Sequence, residues 1–214
     1  MSEAEYVTPT TLMTPYRIYR DFLDPDSHAA LLAWAIENEA KFQPTLIADG
    51  EQDPSRRLSL RVRDFGPLKL MLRQRLLDLV PKLIADLRVT PFEPSKLSLE
   101  LVANNDGGFF TRHVDTNLGD TRKASDRMLS AVYYFHAEPK AFAGGALRLY
   151  AFGTKEHEEN FTDVQPEQNM LLAFPSWALH EVLPVSCPSK RFSDSRFNVN
   201  CWVHRHSNRT PSQI

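Results

Sequence analysis

"RFNVNCWVHR", Arg196–Arg205, alternates with a period of two. Phe197, Val199, Cys201 and Val203 are apolar, and Arg196, Asn198, Asn200 and Trp202 fall between them. In a strand, residues i and i+2 share a face, so the pattern predicts one face packed on a core and a second that carries an arginine, two asparagines and a tryptophan. An arginine on the inner face of a sheet would be costly to bury without a counter-charge. That face is therefore a candidate site for an anion held bidentately.

The rest of the C-terminal half has the same texture. "KLSLELVA" (96–103), "RMLSAVYYFHA" (127–137), "GGALRLYAF" (144–152), "QNMLLAFP" (168–175) and "HEVLPV" (180–185) are short apolar or alternating runs. Gly, Pro, Asn, Asp and Ser clusters separate them. Seven or eight strands at hairpin spacing predict a sandwich or open barrel. The N-terminal part reads differently. "YRIYRDFLDP" (16–25) suits a short strand and turn. "DPDSHAALLAWAIENEAKF" (24–42) suits a helix, capped by Asp26 or Ser27, with Leu31, Leu32, Ala35 and Ile36 as its apolar stripe. "RRLSLRVRDF" (56–65) suits one strand, and "GPLKLMLRQRLLDLVPKLIADLRV" (66–89) a helical region that Pro81 kinks or splits. These helices are expected on one sheet's outer face. No repeat, low-complexity tract or linker divides the chain. The expectation is one domain over 1–214: a flexible 1–14, a helix-rich support over 15–95, and a β core over 96–206.

Composition narrows the function classes. The 214 residues are 42% hydrophobic and 24% charged, with a formal net charge of −2. No basic excess points to nucleic acid or to an anionic membrane. No run approaches the roughly 20 apolar residues of a membrane span, and the first residues lack the pattern of a signal peptide. The two cysteines, Cys187 and Cys201, are too few for a disulfide framework. A cytoplasmic setting is expected.

Within "FFTRHVDTN" (109–117), His113 and Asp115 have the spacing that puts two side chains on one strand face, where they could grip a cation. The spacing alone is a weak signal. His136-Ala137-Glu138 and His157-Glu158-Glu159 share it, the second in a charge-dense stretch that reads as a solvated loop. His204 and His206 read most simply as a polar tail. His180, in "FPSWALHEVLPV" and 67 residues after His113, supplies a third ligand from a later strand with apolar surroundings. Two histidines and one carboxylate leave open positions on a metal. Tyr134 could donate its hydroxyl to the same anion as Arg196.

The pieces "NDGGFFTRHVDT", "LSAVYYFHAEPKAFAGGALRLY", "LLAFPSWALHEVLPV" and "RFNVNCWVHR", in this order, resemble the iron(II)- and 2-oxoglutarate-dependent dioxygenases of the prolyl 4-hydroxylase-like branch. The resemblance runs from about Lys96 to Arg205, with a weaker echo in "YRIYRDFLDPDSHAALLAWA". It implies a double-stranded β-helix, a jelly-roll or cupin-like core that is mainly β, with N-terminal helices on the major sheet. It implies His113, Asp115 and His180 as Fe(II) ligands. Arg196 would hold the distal carboxylate of 2-oxoglutarate, with Tyr134, Trp202 and Asn200 beside it. Arg191 is the rival arginine, set aside because its loop, "CPSKRFSDS", reads as exposed. Dioxygen would be consumed, and ascorbate would support full activity. Asp115 is retained where related halogenases carry a small residue, so hydroxylation is implied. The implied reaction converts an sp3 C–H, that of a prolyl residue in a protein or peptide first, to an alcohol with release of succinate and carbon dioxide. A free amino acid or other small metabolite is the alternative substrate, and a non-catalytic metal-binding barrel the alternative from another class. The segment 115–127, with Arg122, Lys123 and Arg127, could cover the mouth as a lid. Oligomeric state is not legible.

Overall fold

A computed structural model describes residues 13–46, 52–116, 125–152 and 160–206. The first strands and helices form the support. Strand β1 (Arg17–Tyr19) leads into α1 (Pro25–Glu37). The α1 cap is Asp24, whose Oδ1 accepts from the Ser27 amide at 2.9 Å. The expected caps, Asp26 and Ser27, lie inside the helix, because Pro25 takes the first helical position, where its missing N–H costs nothing. Helix α2 spans Pro67–Asp86 as one element. Pro81 lies on the exposed face and does not split it.

Between the helices lie β2 (Gln43–Pro44), β3 (Arg57–Leu58) and β4 (Leu60–Val62). The single strand expected over 56–65 is two, and they belong to different sheets. At Ser59 the chain leaves one sheet for the other, held by Thr45, which donates its amide to the Ser59 carbonyl at 3.0 Å. The remaining strands are β5 (Lys96–Asn104), β6 (Phe109–His113), β7 (Ser125–Phe135), β8 (Ala143–Gly144), β9 (Leu147–Tyr150), β10 (Phe161–Val164), β11 (Met170–Pro175), β12 (His180–Val182), β13 (Val185–Ser186) and β14 (Arg196–His206).

They assemble into a seven-stranded sheet, β1-β11-β7-β14-β5-β4-β2, and a five-stranded sheet, β10-β9-β12-β6-β3, with β13-β8 as a short ribbon. The pairings are antiparallel. This is the mainly β jelly-roll the sequence predicts, with both helices on the larger sheet. The main core joins helices and sheet: Leu31, Leu72, Leu76 and Leu83 meet Leu99, Leu101, Phe135, Phe197 and Val199. A second core lies between the sheets, with Val132, Tyr134, Leu149, Leu172 and Phe174. The alternation of β14 holds: Phe197, Val199, Cys201 and Val203 enter the helix-side core, and the residues between them face the other sheet.

His204 is not part of a polar tail. It lies in β14 at 6% exposure. Its Nε2 meets Ser98 Oγ at 3.1 Å and its Nδ1 meets Ser125 Oγ at 3.1 Å. Burial, reinforced by Arg127 and Lys96, pushes its pKa down to about 4. An unfolded histidine titrates near 6.5. The neutral ring therefore stabilises the fold fully above about pH 6.5, and that contribution fades as pH falls toward 4. In urea melts across this range, wild type should lose stability more steeply than His204→Gln; parallel curves would exclude the effect. Leu31→Ala removes a fully buried side chain from the helix–sheet core and should cost about 2–5 kcal/mol, read as a lower urea midpoint at constant slope.

Candidate active site

Strand pairing, not sequence proximity, brings the two histidines together. His180 opens β12 and lies opposite His113, the last residue of β6, in the antiparallel ladder. Their rings sit 4.2 Å apart, centroid to centroid. Asp115 is not on the strand, as the alternation argument expected: β6 ends at His113. The carboxylate is brought back by a bend that the turn after β11 holds, where the amides of Asp115 and Thr116 both donate to the Ser176 carbonyl at 2.9 and 3.0 Å.

Each imidazole is oriented from behind. Nδ1 of His113 donates to the Thr111 carbonyl, and Nδ1 of His180 to the Ala178 carbonyl, both at 2.8 Å. Those bonds leave each Nε2 as a lone pair aimed at Asp115. The separations are 4.0 Å from His113 Nε2 to Asp115 Oδ1 and 3.7 Å from His180 Nε2 to Oδ2. The ligand atoms of the three side chains thus converge, all within 4.8 Å of one another. Among the described residues this is the one His/Cys/Asp/Glu group that could hold a metal ion. A divalent cation resolves the mutual repulsion, and the donor set of two imidazoles and a carboxylate suits a non-haem ferrous ion.

Electrostatics favour the ligating protonation states. Burial, then the neighbouring His180, pushes the His113 imidazole down to about 3, so it is neutral at any ordinary pH. Burial alone would raise the Asp115 carboxyl. The facing imidazoles, Arg127 and the Ser130 hydroxyl outweigh it and hold the group below the usual carboxylate range. Ser130 Oγ donates to Asp115 Oδ2 at 2.7 Å and meets Ser176 Oγ at 2.9 Å. Phe110 stacks on His113 with centroids 3.6 Å apart, and Phe174 meets His180 edge-on at 4.8 Å.

Arg196 lines the same cavity as the triad, together with Asn198, Asn200 and Trp202. It is 1% exposed. Its Nη1 donates to Asn198 Oδ1 at 2.7 Å, and the chain continues from Asn198 Nδ2 to Asn200 Oδ1 at 2.7 Å. Nε and Nη2 are buried with no partner, and so is the Tyr134 hydroxyl. The guanidinium lies over the Tyr134 ring, 4.8 Å from its centroid. No carboxylate among the described residues pairs with it. Gly145 makes the room: at φ +69°, a Cβ there would lie 2.6 Å from Arg196 Cδ. Arg191 lies elsewhere, its side chain 72% exposed and 2.9 Å from Asp194.

The strand alternation in β7 that places Tyr134 inside also places Ser130 there, a signal the sequence carried. Arg57 had no such signal. It comes from the crossing at Ser59, and its guanidinium lies 4.7 Å from the centre of the Phe110 ring. The decoys separate: His136 is buried, with Nδ1 on the Ala137 carbonyl at 2.8 Å, while His157 and Glu159 lie outside the described residues. So do Arg122 and Lys123 of the expected lid; Arg127 stacks over Trp202, 4.2 Å from the ring centre.

Residues 99–204 match the 2OG-Fe(II) oxygenase superfamily. An uncharacterised PKHD-type hydroxylase of Synechocystis is 32% identical over 197 residues, which are 90% of this chain and 64% of that protein. The chain thus spans about two-thirds of the length of this relative, at 64%. A Pseudomonas putida prolyl-4-hydroxylase shares the fold at TM-score 0.67 and 22% identity, over 91% of this chain and 94% of its own. A Trichoplax adhaerens prolyl hydroxylase, solved with a hypoxia inducible factor peptide fragment, does so at TM-score 0.71 and 17% identity, over 93% and 87%.

Ser130→Ala removes the hydroxyl that orients Asp115. Losing such an outer-shell partner should weaken Fe(II) or Co(II) binding about 10–100-fold with little change in melting temperature. Unchanged affinity in a calorimetric titration would show that Asp115 needs no such support.

Proposed function

We propose that the chain, whose residues 99–204 match the 2OG-Fe(II) oxygenase superfamily, is an Fe(II)- and 2-oxoglutarate-dependent hydroxylase. Its substrate on this reading is a prolyl residue in a protein or peptide. One C–H becomes C–OH, one atom of dioxygen enters the alcohol and the other enters succinate, and carbon dioxide leaves. The observation that carries the proposal is the pair of Arg196 nitrogens, buried and unpaired in the cavity of the triad, with the Tyr134 ring against the guanidinium and its hydroxyl also buried and unpaired. Those three donors lack one acceptor, and a carboxylate fits them.

His113, Asp115 and His180 would hold the ferrous ion. When bound there, iron would supply the activation of dioxygen that is coupled to decarboxylation of 2-oxoglutarate. The rest is positioning. Arg196 and Tyr134 would fix the distal carboxylate, and Asn198 keeps the guanidinium aimed through its 2.7 Å bond. Val132, Leu147 and Val182 line the cavity and keep its wall apolar. Asn200 and Trp202, which line the same cavity, would stand toward the cosubstrate. A groove of about 630 Å3 leads outward past His113, Asp115 and Trp202, which supports an extended chain over a small enclosed metabolite. We place the function in a single domain, with 15–95 as support for the β core. Both buried cysteines are free, which supports a reducing, cytoplasmic setting. Among the described residues no helix is long and apolar enough to cross a membrane.

Succinate release from 2-oxoglutarate with Fe(II) and ascorbate tests the proposal, over a panel of proline peptides, free amino acids and small metabolites. Peptide-stimulated turnover is expected. Stimulation by a free amino acid would move the substrate to the small-molecule class. The absence of any turnover that His180→Ala abolishes would leave a metal-binding barrel without catalysis. Arg196→Ala should raise the half-saturating 2-oxoglutarate about 10–100-fold, the worth of a charge-assisted hydrogen bond; an unchanged requirement would sink the carboxylate assignment.

A further inference from the structure

The groove outside the triad has a charge the whole chain does not. Its described lining carries seven Lys or Arg side chains and only two carboxylates, Glu100 and Asp115, although the chain's net charge is −2. Both carboxylates are engaged internally, Asp115 within the triad and 3.6 Å from Arg127. Glu100 is 5% exposed and faces three guanidiniums at once: Arg61 at 2.5 Å, Arg63 at 3.4 Å and Arg57 at 3.7 Å. Three positive charges against one leave this cluster cationic. Lys69 is turned toward the Arg63 carbonyl at 2.7 Å. Arg73 and Lys96 add exposed charge along α2 and the start of β5, and Arg127 closes the far side over Trp202.

Arg57 ties this charge to the site. Its side chain is only 10% exposed, yet it lines both the groove and the triad's cavity. Guanidinium, Phe110 ring and His113 imidazole form a stack, at 4.7 and 3.6 Å between successive centres. A cation buried this far, sharing one carboxylate with two other arginines, is stabilised by any anion that docks beside it. A cleft lined by one sign of charge also concentrates ligands of the other sign.

We propose that the substrate is an acidic peptide segment, with Asp or Glu side chains flanking the hydroxylated residue and seated on Arg57, Arg61, Arg73, Lys96 and Arg127. This rests on the hydroxylase reading above and names its substrate class. A nucleic acid would meet the same charge but needs aromatic faces on which bases stack. The groove offers Phe110 and Trp202, and guanidinium or imidazole groups already cover them: Arg57 and His113 on Phe110, Arg127 on Trp202.

Binding can be measured apart from turnover. The probes are a fluorescein-labelled peptide with a central proline and glutamates on both sides, its glutamine isostere, and single-stranded oligothymidylate, titrated against the full chain by anisotropy. The expected result is at least tenfold tighter binding of the glutamate peptide than of the glutamine one, lost in Arg73→Glu/Lys96→Glu. Lys41→Glu/Lys190→Glu, an equal charge reversal at positions outside the groove lining, should retain it. The preference should shrink between low and physiological salt. Equal affinity for the two peptides, equal loss in both charge reversals, or tighter binding of the oligonucleotide than of the glutamate peptide would each overturn the assignment. Selective binding without any peptide-stimulated succinate would instead remove the hydroxylase reading and leave an acidic-peptide site.

Discussion

A guanidinium at 1% exposure with two nitrogens unpaired is the constraint around which the barrel is arranged. Stability alone would remove it, because an apolar residue of similar volume would pack there at no electrostatic cost. The fold instead accommodates it at several points. Asn198 takes one nitrogen, the Tyr134 ring lies under the plane, and a glycine with positive φ lets the β8 segment pass beside the side chain. Such a residue is explained by a partner that arrives from outside with a negative charge.

The second strained feature lies across the same cavity and has the opposite sign. Two imidazole lone pairs and a carboxylate converge, each fixed by a backbone carbonyl or a serine hydroxyl behind it. Triad and arginine sit on opposing sheets, the histidines on the five-stranded one and Arg196 on the seven-stranded one. The sandwich therefore sets the distance between an anion hole and a cation hole. On the proposed reading, a keto acid with a second carboxylate would bridge them and satisfy both. The helices matter at one remove: they bury the outer face of β14 and so commit its inner face to the cavity.

What was legible in the sequence was what period two controls. Parity in 196–205 separated core from cavity residue by residue, and it favoured Arg196 over the exposed Arg191. His113, Asp115 and His180 stood out because they sit in a recognisable order of strands, and the structure brings their ligand atoms within 4.8 Å of one another. The illegible parts depended on partners far along the chain. Strand alternation gave the wrong reason for Asp115, which a loop contact to Ser176 holds in place. The apparent strand at 56–65 is cut at Ser59 because its halves pair with β6 and β5, which no local pattern encodes. His204 looked like tail because its two serines are about 80 and 106 residues away, at separations of 79 and 106. The cationic groove is assembled from α2, β3, β4, β5 and β7, so neither net charge nor any single run of sequence announces it.

The measurement closest to the central claim is anaerobic calorimetry of the Fe(II)-loaded chain with 2-oxoglutarate and with 2-oxopentanoate, the same keto acid without the distal carboxylate. If Arg196 and Tyr134 are built for that carboxylate, 2-oxoglutarate binds at least about tenfold more tightly, the least that one charge-assisted hydrogen bond contributes. Equal affinities would mean that the buried arginine serves some other purpose, and the account of this cavity would fail.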